Sequence, residues 1–204
     1  MTPPSQARPP AWAEATLALL LAPADRESVT GDLLEEYRDS IRGARGRWLA
    51  DAWYLRQLAG FIVRTWAIWG AVLAASVVGR YTVDWWLSPT DTFYARSVVS
   101  TAFAASVFFG VGLWSAWRSQ SVRAGALAGI TTGAISAVLV NIVSLVLLAI
   151  WHDPHTMTVI RASGGLDEAF TLPLLIILPG TMCAAFGAVV GKTLAWSRGS
   201  RLGE

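Results

Sequence analysis

Residues 124–151 read AGALAGITTGAISAVLVNIVSLVLLAIW, and no side chain among them carries a charge. A helix of about 20 consecutive apolar residues crosses the hydrocarbon of a bilayer, so this stretch is long enough to span. It does not stand alone. Residues 65–87 (TWAIWGAVLAASVVGRYTVDWWL), 97–117 and 169–191 pass the same test, and only the first of them holds ionisable groups, Arg80 and Asp84, near its far end. The composition agrees: 54% of the 204 residues are hydrophobic and 15% charged, against about a quarter charged in an ordinary soluble domain. Four transmembrane helices are therefore expected.

The charges are unevenly placed. Half of the Lys and Arg residues, and more than half of the Asp and Glu, precede residue 65. The expected fold is all-α: a disordered or extended tail over residues 1–10, a short cytoplasmic three-helix domain over 11–64, a four-helix transmembrane bundle over 65–191 and a cytoplasmic tail over 192–204. Orientation follows from the cations, because Lys and Arg are retained on the cytoplasmic side. Arg56 and Arg64 precede the first span, Arg118 and Arg123 lie between the second and third, and Lys192, Arg198 and Arg201 follow the fourth, whereas the other connections hold only Arg96 and Arg161. Both termini are expected in the cytoplasm of a bacterial inner-membrane protein. Trp66, Trp69, Trp114, Trp117 and Trp196 then fall at the inner interface and Trp85, Trp86 and Trp151 at the outer one, as aromatic belts do.

Within the polar region, helix one is expected over residues 11–22, stopped by Pro23, whose ring cannot continue it. Its run LALLLAPA (residues 17–24) imitates a signal peptide, but Glu14 interrupts the lead-in and no basic cluster precedes it, so it reads as a retained helix. Helix two, about residues 24–43, is amphipathic: Val29, Leu33, Leu34, Tyr37 and Ile41 share one side, and Asp32, Glu35, Glu36 and Asp39 crowd the other. The acidic face reads as either a solvated surface or a docking surface for a basic protein partner. Helix three, from about Gly46, is expected to run nearly unbroken into the first span.

These residues carry a resemblance. Asp25-Arg26-Glu27, Gly31-Asp32-Leu33, Glu35-Glu36 and Trp53-Tyr54-Leu55-Arg56-Gln57 resemble the prefix domain ahead of the acidobacterial duplicated orphan permeases, ABC-type permeases related to macrolide exporters. They also resemble membrane proteins with helical signalling domains that accompany PadR-type transcriptional regulators. The likeness covers about Pro9 to Arg64 and does not extend to the membrane part. It implies a protein-binding helical module, with a PadR-type regulator or a permease as partner. Those permeases have a large extracytoplasmic domain after their first span, where this chain offers only SPTDTFYA (residues 88–95), and it lacks the G-x-x-x-x-G-K-[ST] loop of an ATPase. A full exporter is not expected.

Gly125, Gly129, Gly133 and Ala137 recur at four-residue spacing with Asn141 next in the row, a pattern that lets helices approach closely and a buried Asn bond across the contact. The partner is another span of the same chain or a second copy, which would make a homo-oligomer. Arg80 and Asp84, spaced i, i+4, read as an ion pair on a solvated helix end beside Trp85 and Trp86. Pro173 is expected in the first turn of the fourth span and Pro179 as a kink in its interior. WHDPH (residues 151–155) places His152, Asp153 and His155 in a short outer loop, where plain solvent-facing polarity explains them more cheaply than a metal site. Cys183, the only cysteine, permits no disulfide framework within one chain. A net charge of +2 without a basic face argues against nucleic acid. With no nucleophile, base and orienting group to assemble, the expectation is a non-enzymatic membrane protein without cofactor, with a regulatory or scaffold role. The alternative is a subunit of a small transporter, channel or permease complex.

Overall fold

The computed structural model describes residues 8–40, 46–87, 93–151, 153–162 and 166–201. Their regular structure is helical throughout: α1 (Ala11–Leu20), α2 (Arg26–Ser40), α3 (Gly46–Leu87), α4 (Phe93–Ser119), α5 (Val122–Ile150), α6 (Pro154–Ala162), α7 (Leu166–Leu175) and α8 (Ile177–Arg201). Four helical stretches are long and apolar enough to cross a membrane, namely Gly46–Leu87, Tyr94–Ser119, Val122–Ile150 and Phe170–Ser197, the last running through α7 and α8.

The first three helices meet around Tyr37. Ala13 and Leu17 of α1, spaced four apart on one face, pack with Leu21, with Tyr37 of α2 and with Ala50, Tyr54 and Leu58 of α3. Tyr37 is wholly buried, its ring edge-on to Tyr54 at 6.0 Å, and its hydroxyl donates to Asp51 Oδ1 at 2.6 Å. Val29 and Leu33 pack against this cluster from the same side of α2. Ile41, expected on that side, lies outside the described residues.

A second cluster joins Trp66 and Leu73 of α3, Val107, Phe108 and Val111 of α4, Ala128 of α5 and Ala184 of α8. Leu20 and Ile62 pack against both clusters, so one apolar core runs from the amino-terminal helices into the bundle. The outside of the bundle is apolar too: Ile68 and Leu178 are each 74% exposed and Phe186 67%. Water would penalise such a surface, and hydrocarbon accommodates it.

The fourth span, Phe170–Ser197, carries the expected interior break beside Pro179, and one expectation about it needs correction. Its helix is described from Leu166, so Pro173 sits inside α7 and not in a helix's first turn. Pro179 falls in the opening turn of α8, and the break comes at Ile176. Pro179 has no N–H for the Leu175 carbonyl, whereas Ile176 N donates to Leu172 O at 3.1 Å and Gly180 N to Ile176 O at 2.9 Å on either side of it. The connection after α5, expected as a loop, holds a helix of its own, α6.

Candidate functional site

At the amino-terminal end, Asp32, Glu35, Glu36 and Asp39 all lie exposed along α2, opposite the side that meets α1 and α3. Among the described residues no hydrogen bond or ion pair engages the carboxylates of Glu35 and Glu36, and isolated surface charges contribute little to stability, commonly within about 1 kcal/mol. Trp12 and Trp48 are also exposed on these helices, at 61% and 78%.

Arg26, in the first turn of α2, does what sequence reading missed. Its guanidinium donates through Nη2 to the Ser119 carbonyl at 2.8 Å and through Nε to the Leu21 carbonyl at 3.3 Å. Ser119 ends α4, and the next residue, Gln120, turns the chain with φ at +56°. The last carbonyls of a helix lack intrahelical partners, and a guanidinium is a strong donor to one of them. The middle residue of Asp25-Arg26-Glu27 thus ties the amino-terminal helices to the tight turn between α4 and α5.

In the bundle, the small-residue row of α5 faces α8. A Cβ on Gly129 would stand 2.6 Å from Ala184 Cβ and 3.2 Å from Thr181 Cα, and one on Gly133 would stand 3.1 Å from Ile177 Cγ1. A Cβ on Gly125 would collide with Ala188 Cβ and stand 3.0 Å from the Gly112 carbonyl. Ala137 is buried in the same row. Asn141 is half-buried, and its Oδ1 accepts no hydrogen bond from the described residues. Sequence reading missed the closer approach, between α4 and α8: a Cβ on Gly112, Gly187 or Gly191 would collide with the carbonyl of Ala184, Phe109 or Leu113 respectively.

At the opposite end of the bundle lies a cavity of about 370 Å³, half open, between the end of α3, the end of α5, α6 and Leu172 of α7. Asp84 and Arg80 form part of its wall. The solvated-end reading of this pair does not hold, because Asp84 is only 6% exposed. Its Oδ2 lies 3.4 Å from Arg80 Nε and its Oδ1 3.2 Å from Arg96 Nη1. Arg80 Nη1 also donates to Ser100 Oγ at 3.2 Å. Tyr81, Trp85, Leu147, Trp151 and Val159 supply apolar wall.

Helix α6 covers this cavity and is locked to α3. Asp153 caps it, accepting through Oδ1 from His155 N at 2.9 Å and Thr156 N at 3.2 Å, and through Oδ2 from the Thr156 hydroxyl at 2.7 Å. These donors hold the Asp153 carboxyl below its usual range, the Thr156 hydroxyl most of all. The Trp85 indole donates to Thr156 Oγ1 at 3.1 Å, and its ring lies 5.5 Å from that of His155. Asp153 and His155 are thereby engaged in holding a helix, and His152 lies outside the described residues. Among the described residues no three His, Cys, Asp or Glu side chains gather as a metal site.

No family model, no curated protein and no solved structure matches this chain.

Proposed function

We propose that this chain is a non-enzymatic bacterial inner-membrane protein whose amino-terminal helices form a cytoplasmic module that binds a protein partner, in a regulatory or scaffold role. The observation that carries the reading is α3. It is 42 residues long without interruption, holds the Tyr37 cluster through Ala50, Tyr54 and Leu58, and holds the cavity through Asp84. A continuous helix with the amino-terminal module at one end and a cavity at the other is an element through which the two faces of a membrane can be coupled. Arg26 supports it further by fixing the module to the α4–α5 turn. The acidic face of Asp32, Glu35, Glu36 and Asp39 is the surface for a basic partner, and the prefix-domain resemblance favours a PadR-type regulator or a permease in that place.

The test reverses part of that face. Glu35→Lys with Glu36→Lys leaves helicity and membrane insertion unchanged and weakens partner co-purification in mild detergent, most at low salt, where charge attraction is least screened. Retention of every partner of the parent at low salt sinks the docking role. A second reading, a subunit of a small transporter, channel or permease complex, is favoured by Thr132, Ser136 and Ser144, hydroxyls buried along α5. Solute flux in proteoliposomes, abolished by Ser136→Leu, would select it.

A further inference from the structure

We infer that α5 carries an interface for a second copy of this chain, and that the two copies meet through Asn141. The row of Gly125, Gly129 and Gly133 is taken up inside the chain, by α8. Asn141 is not. It is half-buried, and neither its Oδ1 nor its Nδ2 makes a hydrogen bond among the described residues. Oδ1 is the enclosed atom, and the other end of the amide turns outward. A helix rises about 1.5 Å per residue, so Asn141 stands about 15 Å from Trp151, near the middle of a hydrocarbon core about 30 Å thick. Lipid tails offer an amide no partner there, and leaving it unpaired is costly.

The neighbours of Asn141 say what covers it. Ala134, Val138, Asn141 and Leu145 follow at intervals of four, three and four, the 3.5-residue repeat of a left-handed helix pair. Ala134 is exposed, and Val138 and Leu145 are 58% and 59% exposed. Contact with lipid requires no such repeat. Copies of one chain enter a membrane with the same orientation, so a two-fold axis along the membrane normal sets each seam residue against its own counterpart at the same depth. Asn141 then meets Asn141. A carboxamide holds both donor and acceptor, so it complements itself as a carboxylate or an ammonium does not. Turning the amide over exchanges nitrogen and oxygen without changing its shape. One copy therefore presents its N–H2 group and the other its carbonyl oxygen, and one hydrogen bond joins them. A single polar position in an apolar seam also fixes the register of the pair. This inference stands apart from the partner proposed for α2, and either can fail without the other.

The experiment uses the full chain in phosphatidylcholine liposomes, with subunits counted by single-molecule photobleaching as the protein is diluted in lipid. Dimers should form and dissociate on dilution. Asn141→Leu should weaken the dimer about tenfold, the equilibrium weight of one hydrogen bond between helices in lipid. It should leave the thermal midpoint of the single chain in detergent unchanged, because Asn141 makes no hydrogen bond within the chain. Val138→Trp is the independent variant, which crowds the seam without touching Asn141 and should also favour single subunits. In a Cys183→Ser background, Leu145→Cys should form a disulfide between copies on oxidation, whereas Phe186→Cys, at a position 67% exposed on α8, should not. Single subunits at every density, dimers indifferent to Asn141→Leu, or cross-linking through Phe186→Cys but not Leu145→Cys would each overturn the proposal and leave this face of α5 to lipid.

Discussion

At Gly112, Gly187 and Gly191 the backbones of α4 and α8 meet with no room for a methyl group, each Cβ position being taken by a carbonyl of the other helix. Without a hydrophobic drive between helices in lipid, contact of this closeness is what holds them together. Gly112→Ala should therefore lower the thermal midpoint in detergent, by about 1–3 kcal/mol of stability as overpacking does. Gly79→Ala, where the added methyl meets nothing within 4 Å, should leave it unchanged, and Gly129→Leu should be at least as damaging as Gly112→Ala. Tyr37 gives a second test. Its pKa is pushed up to about 12, by burial first and then by the hydrogen bond and charge of Asp51. In the unfolded chain the phenol ionises near 10, so its contribution is complete below about pH 10 and is lost as pH climbs from there towards 12. Loss of helical circular dichroism across that window should shrink in Tyr37→Phe, which costs about 1 kcal/mol at neutral pH through the missing hydrogen bond. The four-residue spacing of Gly125, Gly129 and Gly133 was readable from the sequence. That their neighbour is α8, and that α4 and α8 approach more closely still, was not, because spacing marks a face without saying what it meets.

Among the elements, α6 offers the clearest lesson. Asp153, Pro154 and Thr156 are a helix start in plain sight, with a capping acid followed by proline in the first turn, although the stretch also reads as solvent-facing polarity on a short loop. Asp153→Ala should loosen α6 by removing its cap, seen as faster amide exchange over residues 156–162. The hydrogen bonds to Thr156 and His155 depress the Asp153 pKa. The cap's electrostatic contribution is therefore complete above the ordinary carboxylate range and is lost progressively as pH falls through that range to the lower pH at which the folded Asp153 protonates. The two prolines of the fourth span were also visible, and the break at Ile176 lies beside Pro179, whose missing N–H leaves the Leu175 carbonyl without its helical donor. The continuity of α3 was readable because no proline interrupts residues 46–87 and Gly60, Gly70 and Gly79 stand singly.

On the scale of the whole molecule, long apolar runs and the placement of arginines carry the account, and both are properties of the sequence. The fastening of the amino-terminal helices to the bundle is not: Arg26 and Ser119 are 93 residues apart, and no local pattern announces such a contact. Arg26→Ala should release the amino-terminal helices from the α4–α5 turn, exposing the segment near Gln120 to protease while leaving the spans inserted. The burial of Asp84 was hidden for the same reason, since Arg96 of α4 stands against it and α5 and α6 close the cavity beside it from distant parts of the chain. All of this requires that the module and the α4–α5 turn share one side of the membrane and the cavity lies towards the other. The most direct measurement is a set of reporter fusions after Leu87, Arg118, Asp153 and Arg201. Signals alternating outside, inside, outside, inside are predicted, and an extracytoplasmic signal from the fusion after Arg118 or Arg201 would contradict the account.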